Sequence, residues 1–80
     1  MRAAFKLAET VQAYRAVTED DGFEIIDRLE RRILDHRPFS AEEAAAMLEV
    51  VGENLEVGGR SDGRDLKALH RVIAFLRRPH

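Results

Sequence analysis

Residues 58–65 read GGRSDGRD, and the meaning of that stretch decides the fold. Gly58 and Gly63 lie five apart, Arg64 follows the second glycine, and Asp65 places an oxygen-bearing side chain after it. A nucleotide-binding phosphate loop has this outline and would make the chain an α/β protein, because such a loop hangs between a buried strand and a helix. The chemistry does not match. A phosphate loop needs a lysine for the β and γ oxygens and a Ser or Thr hydroxyl for magnesium. Here Arg64 and Asp65 stand in those places, and the residues upstream, GENLEV at 52–57, are the acidic end of a helix. GGRSDGRD therefore reads as a junction between two helices: Gly58 or Gly59 caps the first, and Ser61 or Asp62 opens the second. Arg60 and Arg64 near that helix start are at most a weak anion site.

Outward from the junction the apolar residues recur at three and four, the helical period, and not at two. Helix three is expected over 41–57, with Ala44, Met47, Leu48, Val51 and Leu55 inward; Gly52 costs it about 1 kcal/mol against alanine without ending it. Before it, HRPFSAEE at 36–43 is strong punctuation, since Pro38 stops helix two and Ser40 with Glu43 forms a capping box. Helix two is expected over 18–36, opened by a second box from Thr18 and Asp21, with Ile25, Ile26, Leu29 and Ile33 buried. Helix one covers 3–17 with Ala4, Leu7, Ala8, Val11 and Tyr14 on its stripe. TEDDG at 18–22 contains no proline, so one continuous helix through it is the alternative. Helix four spans 62–78, with Leu66, Leu69, Ile73 and Leu76 inward and Pro79 at its end. The expected product is a single all-α domain over 1–80, a compact bundle of three to four antiparallel helices.

A chain of 80 residues buries only about 60–65% of the surface its unfolded form exposes, and association is a common remedy for so thin a core. With no cysteine there is no disulfide, thiolate metal site or cysteine nucleophile. Arg2, Lys6 and Glu9 interrupt the apolar residues of MRAAFKLAETVQ, which fits neither a secretion signal nor a membrane span, so a cytoplasmic location is expected. DGRD supplies too few acids for a calcium loop, and His36, His70 and His80 are too scattered for zinc. His36 is expected to complement the dipole at the end of helix two. Ser40 and Ser61 serve as caps, and no serine, histidine and acid set is visible. A non-catalytic protein without metal, cofactor or small-molecule substrate is the expectation.

Charge is distributed unevenly. Residues 1–57 carry seven basic and thirteen acidic side chains, a balance of −6, whereas residues 58–80 carry six and two, a balance of +4. Helical register gathers Glu42, Glu49, Glu53 and Glu56 on the solvent side of helix three, and Arg64, Lys67, Arg71 and Arg78 on a basic stripe of helix four. SAEEAAAML at 40–48 resembles in composition the first helix of many helix-turn-helix domains, with a basic helix after it. The connection is far longer than three or four residues and the net charge is −2, so a nucleic-acid regulator using the basic stripe is the alternative. The first expectation rests on apolar residues beyond the inward stripes: Phe5, Val50, Val57, Val72 and Phe75. Val72, Phe75 and Leu76 would centre a surface for a protein partner or a homodimer, with the arginines steering an acidic partner; an adaptor, inhibitor or regulatory subunit fits.

Overall fold

A computed structural model describes residues 6–18 and 22–78, and among these it contains four helices and no strand. The helices are α1 (Leu7–Ala16), α2 (Phe23–Leu34), α3 (Ala41–Glu56) and α4 (Arg64–Leu76). The all-α expectation holds. α3 and α4 form the most extensively packed pair, and α2 touches all three other helices.

α1 and α2 are separate helices. Val17 turns extended (φ −67°, ψ 134°), and Gly22 enters α2 at φ 92°, a conformation that a side chain makes costly. The expected start of helix two at 18 is thus corrected to Phe23: Thr18 lies too far upstream to cap it, and Asp21 is outside the described residues. Ala4, Phe5, Pro79 and His80 are outside them too.

The α2–α3 turn behaves as its sequence implies. Pro38 is buried, and the Ser40 hydroxyl accepts the Glu43 N–H at 3.1 Å. Glu43 reaches one residue beyond the usual box and accepts the Phe39 N–H at 2.8 Å. The same carboxylate oxygen lies 3.0 Å from His36 Nε2, so His36 is tied to α3 as well as lying near the end of α2. At the other end of α3, Gly59 N–H bonds to Asn54 O at 2.7 Å and Gly58 N–H to Leu55 O at 3.2 Å. That pair of bonds is a Schellman cap, and Gly58 at φ 109° makes the turn.

The core comprises Leu7, Ile33, Leu34, Ala44, Met47, Val50, Val51, Ala68 and Val72. Several expected stripes are rotated from their sequence-derived positions. On α3, Val50 is buried and Leu55 is 57% exposed; on α2, Ile25 is exposed while Glu30 and Leu34 are buried; on α1, Ala8 is exposed. α4 departs furthest. Its inward face is Asp65, Ala68 and Val72, with Phe75 half-buried against the core, whereas Leu66, Ile73 and Leu76 face out. Asp65 sets this rotation, because both its carboxylate oxygens are bonded inside the junction and drag that face inward.

Candidate functional site

GGRSDGRD folds into a clasp that consumes its own hydrogen-bonding groups. Asp65 accepts the Arg60 N–H at 2.6 Å through one oxygen and the Asn54 amide at 2.9 Å through the other, while Asp62 accepts the Arg64 N–H at 3.0 Å. Asp62 therefore serves α4 from one residue outside its N-cap, Gly63, rather than as the cap itself. With these N–H groups bonded to side chains, the loop has no phosphate cradle to offer at Arg60 or Arg64.

The Arg60 side chain turns under the loop. It bonds Glu30 at 2.6 Å, Asp27 at 2.7 Å and Asp62 at 2.8 Å, and Tyr14 Oη donates to the other Glu30 oxygen at 2.7 Å. This chain of contacts joins α1, α2 and the α3–α4 junction. Bonds to Asp62, then to Glu30 and Asp27, outweigh burial and raise the Arg60 pKa still further. Asp62 is held well below the usual carboxylate range, first by Arg60 and then by the Arg64 N–H. Burial, followed by the bond to Glu30, raises the Tyr14 phenol above its ordinary value. Among the described residues no buried side-chain nitrogen or oxygen lacks a hydrogen bond.

The expected interaction residues separate. Val72 is 0% exposed and belongs to the core, so its assignment to a docking surface is corrected; Phe75 packs partly against the same core. Leu76, 52% exposed, stays accessible and joins a stripe nearer the junction: Leu66, Leu69, Ile73 and Leu76 recur at the helical period, with Leu66 56% exposed. Leu55 of α3 meets this stripe across a groove of about 300 Å³ that Leu66 and Leu69 also line. At 100° per residue, Ala45, Leu48 and Gly52 share the shoulder of α3 that carries Leu55. Gly52 has open space where a side chain would stand. The result is a two-helix apolar face.

The basic stripe of α4 does not form one free row. Arg64 bonds Asp35 and Asp62, and Arg71 donates to Leu34 O at 2.7 Å, so both serve the α2–α4 contact. Lys67 and Arg78 remain exposed. On α3, Glu42, Glu49, Glu53 and Glu56 are all exposed, and Glu53 pairs with Arg15.

Among the described residues no group of three or more His, Asp and Glu could hold a metal ion, and no helix is long and apolar enough to cross a membrane. These features describe a small all-helical protein, with four helices among the described residues and an apolar face on α3 and α4. No protein-family model, curated protein or solved structure matches the chain.

Proposed function

We propose that this chain is a small, non-catalytic, cytoplasmic interaction module, an adaptor or regulatory subunit, that self-associates through its α3–α4 face. The observation that carries the reading is that Leu55, Leu66, Ile73 and Leu76, four large aliphatic side chains, stand exposed while α4 gives Ala68, Val72 and part of Phe75 to the core. Single exposed leucines are ordinary; a contiguous set on two packed helices is the signature of a contact surface.

Charge favours a second copy as occupant. Helical register borders the face with Glu49 and Glu56 on the α3 side and with Arg77 as the charged residue on the α4 side, all exposed. A twofold axis parallel to the helix pair lays α3 of one copy over α4 of the other. Acidic edge then meets basic edge twice, as an isologous interface requires. Gly52 lets the facing helix approach closely, which gives a reason for a mid-helix glycine that no contact among the described residues explains.

Molar mass by light scattering over a wide concentration range tests this, comparing the natural chain with Leu66→Asp. Leu66 is exposed in the protomer, so the substitution leaves the fold intact, as circular dichroism checks. Losing its burial in both copies costs about 3 kcal/mol of association, roughly a hundredfold in Kd. A natural chain that stays monomeric at every concentration, or a dimer unaffected by Leu66→Asp, removes the self-association reading.

A further inference from the structure

A second surface shares no residue with the apolar face. An open cleft of about 790 Å³ runs over the outer side of α2 and the α2–α3 turn, and six of its lining residues are Arg28, Arg31, Arg32, Arg37, Arg64 and Phe39. Asp35 is the one acid in that lining. Five guanidiniums and one carboxylate line it; with Asp27 and Asp62, which pair with two of those arginines, the local excess is two positive charges on a chain of net charge −2. Arg64 is paired with Asp35 and Asp62, and Arg31 with Asp27. Neither Arg28 nor Arg37 has a hydrogen-bond or ion-pair partner among the described residues, and both are exposed. Gathering like charges without partners costs free energy in the isolated chain, a cost that an anionic ligand would remove.

Phe39 narrows the ligand. Its side chain is 83% exposed, yet its backbone is held: buried Pro38 precedes it, its N–H is bonded to Glu43, and Ser40 after it caps α3. The ring meets His36 edge-on at 6.2 Å between centroids. An aromatic face is thus presented to solvent from a braced turn at the lip of an arginine-lined cleft. Backbone-tracking cations beside an exposed aromatic platform are the two parts that single-stranded nucleic acid binding requires. Phosphates suit the planar guanidinium fork, and an unstacked base suits the ring. A duplex keeps its bases stacked and would leave Phe39 unused, and an acidic peptide would satisfy the arginines alone. We infer that the α2 cleft is a binding site for single-stranded nucleic acid, with Arg28 and Arg37 holding phosphates and Phe39 stacking a base.

Fluorescence anisotropy with a labelled single-stranded oligothymidylate or oligouridylate tests the site. Binding is expected at 50 mM salt and falls about sevenfold by 200 mM for the two phosphates held by Arg28 and Arg37. Arg28→Glu with Arg37→Glu lowers affinity and flattens the salt dependence. Phe39→Ala weakens binding about tenfold while leaving that dependence unchanged. None of the three side chains supports the core, and circular dichroism verifies the fold of each variant. Four outcomes overturn the inference: no binding to either oligonucleotide at 50 mM salt, equal affinity for the matching duplex, displacement by polyglutamate at equal charge concentration, or indifference to Phe39→Ala. Displacement by a mononucleotide at equal phosphate concentration overturns the single-strand assignment in favour of a free nucleotide. The Leu66→Asp variant retains the cleft, so its binding curve separates this site from self-association.

Discussion

Asp65→Ala is expected to remove about 3 kcal/mol of folding stability. The carboxylate is buried, and its two oxygens satisfy the Arg60 N–H at 2.6 Å and the buried Asn54 amide at 2.9 Å. A hydrogen bond to a charged group contributes about 1.5–3 kcal/mol, and a buried donor left without an acceptor carries its desolvation cost besides. The Arg60 N–H is only part-buried and turns to water, so its share falls to the low end and Asn54 bears the larger loss. An 80-residue domain has a total stability of about 4–12 kcal/mol. The substitution therefore consumes a large fraction of it, lowering the melting temperature by roughly 12–24 °C. Urea unfolding followed by circular dichroism, at two protein concentrations to account for association, measures the change. Asn54→Ala with Asp65→Ala should cost less than the sum of the single changes by about 1 kcal/mol, because removing both partners leaves one fewer unpaired group. A loss below about 1 kcal/mol for Asp65→Ala, or a strictly additive pair, would falsify the view that this carboxylate fixes the rotation of α4.

Two pH experiments probe Tyr14 in the Arg60 network and, separately, the Glu43 cap of α3. Tyr14 is the chain's single tyrosine, so ultraviolet absorbance reads its ionisation directly, and the phenol should titrate above the ordinary value of about 10. A raised folded pKa stabilises below the unfolded value, so this contribution is lost as pH climbs above about 10; an ordinary titration curve for the folded chain refutes the part-buried contact with Glu30. For Glu43, burial acts to raise the pKa, but bonds from His36 and the Phe39 N–H prevail and lower it. Its stabilisation is present above the usual glutamate pKa, about 4.3, and fades as pH falls through the lower folded value. Glu43→Gln should flatten the acid limb of stability against pH, and an unchanged limb refutes the cap.

The punctuation of this chain was legible because it is local. Pro38, the Ser40–Glu43 box and the glycines after Val57 act within a few residues of themselves, and the ends of α3 lie where they imply. The break between α1 and α2 was less so, since it depends on Gly22 rather than on a proline. The arginine cleft was hidden by summing charge over halves: Arg28, Arg31, Arg32 and Arg37 fall within ten residues, but acids elsewhere in 1–57 outnumber them. Over 23–40 these four arginines are balanced by Glu24, Asp27, Glu30 and Asp35, so even a local charge count returns zero, and the cluster emerges only because the fold turns Asp27 and Glu30 toward Arg60.

Sequence alone determined the helical period, the two caps of α3 and the rejection of a phosphate loop, all of which follow from the chemistry of near neighbours. Tertiary structure alone decided which side of α4 faces the core. Positions 66, 69, 73 and 76 and positions 65, 68, 72 and 75 have the same helical spacing, and the first set is the more hydrophobic. The second wins because Asp65 is anchored to Arg60 and Asn54, residues that only the folded junction brings to it, and because Ala68 and Val72 fit the space beside α3. Leucines that would have filled a core are left on the surface, where the interaction face is proposed.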